Sequence, residues 1–328
     1  VSVYEEKESY AASRSGGLGG TDVAGVLGLS PWKTPISVWD SKVNPANLPE
    51  LDKECLRWGT LLEPVVRQEY AARFGVAVTD PSALDSCFRN TKPWNDSKLI
   101  IGKEPWMIAA PDGWLNSVNS GLEVKCSARK SGEWGDEGSE EVPTHYYIQA
   151  SWYMAICEAT GWNFGVLFSG NTLQQYRIER DLAFEKDMMS AARAFWHDYV
   201  LPGIEPPIDQ TTSYGAYLAR KFSLGSETII TEPGPEILEW TAKMKLADDQ
   251  ITEAEEEKQL ANNHLRALIA DAKAAVTPLG RVGWVRGAPR KTVDWKALAA
   301  ELPIHQAVID AYTSETPVQP FLRSWWKK

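Results

Sequence analysis

The chain is poor in the residues that build zinc and redox centres. It holds four cysteines and four histidines in 328 residues. Cys55, Cys87, Cys126 and Cys157 form no C-x-x-C pair, the spacing that zinc and iron–sulfur sites usually show. His145, His197, His264 and His305 are dispersed, so core, surface or helix-face roles are the default for each. No run of ~18 apolar residues is present, which excludes a helical membrane span. The opening VSVYEEKESY lacks the basic-then-apolar layout of a secretory signal. Sparse, unpaired cysteines suit a reducing compartment, and a cytoplasmic location is expected. Basic charge is also short. Lys and Arg number 34 against 44 Asp and Glu, a net charge of −10. That argues against a protein that coats polyanions generally. It does not exclude a nuclease, which gathers carboxylates for metals and keeps its basic residues local. No internal repeat or low-complexity tract occurs.

The hydrophobic share of 43% and charged share of 24% are those of a folded globular protein, with ample material for a core. Fifteen tryptophans are many, and they divide into buried rings and exposed stacking surfaces. Charge is uneven. Residues 232–261 carry nine acidic and three basic side chains, whereas 281–296 carry five basic and one acidic.

A Gly-rich stretch spans 15–35, followed by a short helix signal, ISVWDSKV. Leu61, Leu62, Val65, Val66 and Phe74 then recur at helical spacing, with Thr60 as the expected cap and Gly75 as the stop. VAVTD, SCFRN, WMIAAPDGWL and GLEVKCS read as strands between turns within 76–127. VPTHYYIQASWYMAICEATG reads as a helix, with Pro143 near its start and Gly161 past its end. NFGVLFSG and LQQYRIER follow as strands, and DLAFEKDMMSAARAFWHDYV as an amphipathic helix. This order predicts an α/β fold with a mixed central sheet flanked by helices. The Pro-rich segment 201–209 is the expected boundary. It divides an α/β domain at 1–209, with its core block at 54–200, from a C-terminal extension at 210–328. From 236 to 276 there is no Gly or Pro, and Ile251, Ala254, Ala261, Leu265 and Leu268 keep a 3/4 spacing that Lys258 interrupts. A long helix or a helical hairpin is expected there. A basic β-ribbon is expected over 277–295, then a short helix, WKALAAEL, and a basic aromatic tail, FLRSWWKK.

The chemistry-bearing cluster is PDG at 111–113 with GLEVKC at 121–126. On a strand, alternate residues share a face. Leu122, Val124 and Cys126 are expected toward the core, and Glu123 and Lys125 together on the other side. The stretch Asn116–Ser120 turns the chain so that Asp112 comes beside Glu123. Adjacent carboxylates repel unless a cation joins them. A hard divalent ion binds carboxylates, carbonyls and water, and a lysine two residues on can hold the attacking water. That set suits metal-assisted phosphodiester hydrolysis. E-x-K alone more often marks a solvated strand face, and Pro-Asp-Gly is a common turn. Glu63 is placed either to point at the metal or to complete a Thr60-x-x-Glu63 capping box. Gln149, inside an apolar helix, needs partners, either a catalytic water or a structural hydrogen bond. Arg14, seven residues before Thr21 at the Gly-rich stretch, can form an anion pocket with backbone N–H groups. As a dinucleotide site the stretch fails, because no convincing strand precedes it.

SRSGGLGGTDVAGVLGLSPWKTPISVW, RWGTLLEPVVRQEYAARFG, APDGWL, GLEVKCS and YYIQASWYMAICEATGWNFGVLF together resemble the YqaJ-type viral recombination nucleases. These are relatives of phage lambda exonuclease in the PD-(D/E)XK nuclease superfamily. The motifs stand in the family's order over roughly 11–200. The resemblance implies a metal-dependent exonuclease of a phage or prophage, working in homologous recombination in a bacterial cytoplasm. It would degrade the 5′-ended strand of double-stranded DNA and leave a 3′ overhang for a single-strand annealing protein. By matching motif, Asp112 and Glu123 would ligate Mg²⁺, with the Val124 carbonyl completing the site. Glu63 would reach a metal directly or through water. Two ions are implied, with Mn²⁺ as the alternative metal. Lys125 and Gln149 would orient the water, Arg14 and Thr21 would bind the 5′ phosphate, and Lys33 would contact DNA. A homo-oligomeric ring trimer is implied as well, although the longer C-terminus departs from the minimal members. The cysteines do not match the iron–sulfur relatives. Two alternatives stay open: an endonuclease or nickase of the same superfamily, and a non-catalytic DNA-binding or assembly protein.

Overall fold

The computed structural model describes residues 16–45, 54–80, 99–222 and 229–285. Arg14, Cys87, the strand expected at SCFRN, and the chain from 286 onward fall outside these residues. The chain forms two compact units, Val1–Lys221 and Phe222–Lys328.

The first unit is built on a four-stranded sheet. Its strands are β3 (Gly113–Leu115), β4 (Ser120–Ser127), β5 (Gly161–Phe168) and β6 (Thr172–Glu179), in that spatial order. The β3–β4 and β5–β6 pairs are antiparallel and β4–β5 is parallel. The mixed α/β sheet expected from the sequence is therefore present. A separate pair, β1 (Ile100–Ile101) and β2 (Ile108–Ala109), precedes it. VAVTD forms no extended strand. It contributes one bridge, Thr79 to Trp114.

Helices α1 (Gly20–Val26), α2 (Pro35–Val43), α3 (Glu54–Phe74), α4 (Thr144–Cys157), α5 (Leu182–Phe195) and α6 (Thr212–Lys221) surround the sheet. Helix α3 lies on one face, where Val66 and Tyr70 cluster with Leu115, Leu122, Val124 and Leu173. Helix α4 lies on the other, within a larger core that holds Trp106, Trp134, Trp152, Trp162, Phe164 and Tyr176. Most described tryptophans are thus core residues. The indole N–H groups of Trp152 and Trp39 donate to the carbonyls of Ile108 and Tyr199 at 3.0 Å each, which removes the cost of burying them.

The parallel β4–β5 register is fixed by polar groups as well as by the ladder. Asn163 Nδ2 donates to Ser120 Oγ at 2.7 Å, and Ser120 Oγ donates to the Gly161 carbonyl at 2.7 Å. All three residues are buried, and a one-residue slip would strand them. This register fixes the height of Glu123 in the sheet.

Several expectations need correction. Thr60 does not begin a helix. Helix α3 runs from Glu54, so Thr60 lies inside it and donates to the Leu56 carbonyl at 3.1 Å. The capping-box alternative for Glu63 therefore falls. Leu61 and Val65 are exposed. Cys126 is exposed rather than turned to the core, because Val66 and Tyr70 cover Leu122 and Val124 and not the end of β4. Helix α4 stops at Glu158, which takes a left-handed conformation with φ 53°, and Gly161 already opens β5. The first unit continues past the Pro-rich 201–209. Helix α6 docks on α2 through Arg220 Nη2 to Asp40 Oδ2 at 2.6 Å and through the Trp39–Tyr217 ring pair, so no boundary falls after 209.

In the second unit, α7 (Pro235–Ile269) is one continuous helix of 35 residues, about 50 Å long at ~1.5 Å per residue. It is not a hairpin, and it ends before 276. Strands β7 (Ala274–Thr277) and β8 (Gly280–Gly283) pair antiparallel, so the ribbon starts earlier than expected. No described helix is long and apolar enough to cross a membrane.

Gly121 lies on β4 directly under Trp162, where an added Cβ would sit 2.2 Å from the indole. Gly121→Ala is expected to destabilise the first unit by about 1–3 kcal/mol, the usual cost of overpacking. A lowered urea midpoint with an unchanged slope is the expected readout, and an unchanged midpoint would refute the packing argument.

Candidate active site

The site lies where β3, β4, α3 and α4 meet. Asp112 directly precedes β3. Its N–H donates to the Leu122 carbonyl at 3.0 Å, and its Oδ2 accepts from the Val124 N–H at 2.7 Å. These two bonds clamp the Asp112 carboxylate beside Glu123. The turn between the strands is a short 3₁₀ segment, Asn116–Val118, followed by left-handed Asn119 with φ 46°. Asn is among the non-glycine residues best suited to that conformation.

Glu123 is not on a solvated face. It is 4% exposed, which overturns the bland reading of E-x-K. Its Oε1 accepts from Lys125 Nζ and from Gln149 Nε2, each at 2.6 Å. Its Oε2 is buried and has no hydrogen-bond partner, and Gln149 Oε1 is in the same condition. Two unpartnered acceptors facing one buried region are costly. A cation and its bound water would supply the missing interactions.

Gln149 is positioned by the Gly-rich segment. Helix α1 packs so closely on α4 that a Cβ on Gly20 would lie 2.8 Å from Gln149 Cα, Cγ and O. Thr21 is consequently brought next to the helix turn that carries Gln149. Burial, and then the charges of Glu123 and Glu63, hold the Asp112 carboxyl well above the usual carboxylate range, against the opposing pull of Lys125 and the Val124 N–H. Burial alone would lower the Lys125 ammonium. The Glu123 and Asp112 charges outweigh it and hold the group above its ordinary value. Lys125 Nζ also lies 4.8 Å from the Tyr146 ring centroid.

Glu63 sits in the middle of α3, close enough for its charge to act on Asp112. The structure thus gathers Glu63, Asp112, Glu123, Lys125 and Gln149. Lys33 is placed otherwise. Its ammonium pairs with the buried Asp22, which also accepts from Lys42 at 2.9 Å and from the Gly19 N–H at 3.0 Å.

Sequence reasoning missed two residues. Asp22 anchors the Gly-rich segment. Arg67 donates to the Asp112 carbonyl at 2.6 Å and to Asp80 at 2.6 Å, and lies 3.5 Å from Glu63. The signal for Arg67 was its position four residues after Glu63, which puts both on one helix face.

Among the described residues no three His, Cys, Asp or Glu side chains form a ready-made cage. Mg²⁺ does not require one, because it usually keeps several waters and uses one or two carboxylates with substrate phosphates. Asp112 and Glu123 fit that demand.

Neutralising Asp112 removes a charge that the metal-free fold opposes. A raised carboxyl pKa means that the fold binds the proton more tightly than the unfolded chain does. Its penalty is therefore absent at low pH and grows as pH rises past the unfolded value. Asp112→Asn keeps an oxygen for the Val124 N–H. In EDTA near pH 7 it is expected to raise the thermal midpoint by roughly 2 °C or more, and to lose the Mg²⁺-induced rise of the wild type. A lower midpoint in EDTA would contradict the electrostatic account.

The profile of the YqaJ-like viral recombinase domain matches residues 9–162. The uncharacterized protein YqaJ of Bacillus subtilis (strain 168) is 26% identical over 300 residues, 90% of this chain and 88% of that protein. Among solved structures, the alkaline exonuclease LHK-Exo of Laribacter hongkongensis is similar at 20% identity and a TM-score of 0.45, covering 67% of this chain and 100% of that one. A phage-related exonuclease from Haemophilus somnus 129PT is similar at 11% identity and a TM-score of 0.37, covering 57% and 96%. The resemblance drawn from the sequence motifs is borne out: residues 9–162 of this chain match the YqaJ-like viral recombinase domain.

Proposed function

We propose that this chain is a Mg²⁺-dependent exonuclease that enters double-stranded DNA at an end and hydrolyses the 5′-ended strand. The observation that carries the reading is the cluster of Asp112, Glu123, Lys125 and Gln149, in which the buried Glu123 Oε2 and Gln149 Oε1 are left without partners. Asp112 and Glu123 would hold the ion, the Val124 carbonyl would complete a ligand set, and Glu63 would reach a metal directly or through water. When bound, the metal polarises the scissile phosphate and lowers the pKa of a coordinated water.

The side chains do the rest. Lys125 is held as an ammonium by Glu123 and Asp112, so it orients and stabilises charge and does not start as a base. Gln149 Nε2 fixes the Glu123 carboxylate, leaving Gln149 Oε1 to accept a hydrogen bond from the attacking water. Arg67 sets the backbone at Asp112. Thr21, beside Gln149, together with Arg14 would receive the 5′ phosphate. Lys33 would have to leave or share Asp22 to meet DNA. The reading extends to a 3′ overhang handed to an annealing protein, to a second metal ion, and to a closed ring of three copies.

The test is digestion of linear duplex DNA with 5′-phosphate or 5′-hydroxyl ends, in Mg²⁺ or EDTA, beside a closed circular duplex. Mg²⁺-dependent loss of the 5′-phosphorylated strand, with the circle intact, is expected. Cutting of the circle would replace this reading with an endonuclease. Lys125→Ala is expected to lower the rate at least ~100-fold, in the range of lost electrostatic stabilisation. It should leave the circular dichroism spectrum unchanged. A fully active Lys125→Ala enzyme would overturn the role assigned to Lys125.

A further inference from the structure

Trp32 is 69% exposed although it stands at the edge of a buried, chemically loaded region. Its backbone is not loose. Ser30 Oγ accepts from the Trp32 N–H at 3.2 Å and from the Lys33 N–H at 3.1 Å. Thr34 then caps α2 in a reciprocal pairing with Ser37, and Lys33 is tied to Asp22. The turn therefore holds the indole on a fixed base.

The ring leans on two aromatic neighbours. It meets His145 edge to face at a centroid distance of 4.7 Å and Tyr146 at 6.4 Å. Tyr146 in turn faces Lys125 Nζ at 4.8 Å. By way of Tyr146, Trp32 lies no further from Lys125 than about four stacked nucleotide steps of ~3.4 Å each. His145 Nε2 is buried without a hydrogen-bond partner, and burial together with Lys125 keeps the imidazole neutral, with its pKa down at about 4. A neutral imidazole does not add positive charge to the aromatic shelf.

We propose that Trp32, backed by His145 and Tyr146, is a stacking platform for a DNA base of the strand being cut, placed within a few nucleotides of the scissile phosphate. This inference rests on the nuclease reading and assigns it a base subsite. An exposed indole offers a flat apolar face, and base–aromatic stacking tolerates any sequence because every base has a π face. Sequence tolerance is what an enzyme that walks along a strand requires. A backbone-only grip would instead place Lys and Arg there. Lys33, the adjacent cation, is already engaged by Asp22. Trp32 is thus a positioning residue: it sets where the strand lies and takes no part in bond breaking.

The experiment uses the full chain and two readouts. The first is fluorescence of 2-aminopurine placed at one of the first three nucleotides of the 5′-phosphorylated strand of a duplex. It is titrated in Ca²⁺ so that binding is read without turnover. The second is steady-state digestion in Mg²⁺. Wild type should change the 2-aminopurine signal at one of these positions. Trp32→Ala should abolish that change, raise KM about tenfold and lower kcat less. Trp32→Phe should restore most of both, because a ring and not an indole N–H is required. Equal 2-aminopurine responses and equal KM for wild type and Trp32→Ala would overturn the proposal. So would a loss in Trp32→Ala that Trp32→Phe fails to restore. Normal signals and kinetics in Trp32→Ala, combined with loss of binding to a protein partner, would assign the ring to a protein interface instead. If wild type neither binds nor digests the duplex, the nuclease reading itself has failed, which is separable from a fault confined to Trp32.

Discussion

The repulsion between Asp112 and Glu123 is the constraint on which the rest of the first unit depends. Two carboxylates placed side by side and out of water resist ionisation. The fold nevertheless builds the pair into the junction of β3 and β4 beside the central sheet. The Val124 N–H, the Lys125 ammonium and the Gln149 amide each offset part of the penalty. They leave Glu123 Oε2 without a partner. Supporting groups converge on this pair from three helices. Helix α3 supplies Glu63 and Arg67, α4 supplies Gln149, and α1 presses its glycines against α4 to hold that glutamine in place.

The acidic total is reconciled with a nucleic-acid role by location. Much of the excess lies on α7, which is in the other unit. Several cations in and near the site are held by local partners. Lys33 and Lys42 are held by Asp22, Arg67 spans Asp80 and the Asp112 carbonyl, and Lys125 sits on Glu123. An enzyme arranged this way would hold its substrate by local contacts near the site and not by a broad positive field.

Much of this was legible in the sequence because strands and helices impose short periods. GLEVKC placed Glu123 and Lys125 on one face, and the PDG turn brought Asp112 to them. Gln149 stood out as a lone polar residue in an apolar helix. What escaped notice was set by tertiary contact. Thr60 and Glu63 have the letters of a capping box, yet α3 begins at least six residues earlier. Cys126 continues the alternation of Leu122 and Val124 but outruns the helix that covers them. Glu158 ends α4 in a conformation usually given to Gly or Asn, so Gly161 was read as the stop. Asp22 is buried and Arg67 half-buried, and their partners lie up to 45 residues away; local spacing points only to the pairing of Arg67 with Glu63. The docking of α6 on α2 carried the first unit beyond the prolines that looked like its end.

The most direct test of the central claim is calorimetric titration of the metal-free protein with Mn²⁺ in two buffers of different ionisation enthalpy. The experiment is run near pH 6 and compared with Glu123→Gln. If Asp112 and Glu123 form the metal site, wild type takes up the ion, and the two buffers report any proton released as the ligands ionise. Glu123→Gln should bind at least tenfold more weakly. No uptake by the folded wild-type protein, or uptake that Glu123→Gln leaves unchanged, would contradict the account.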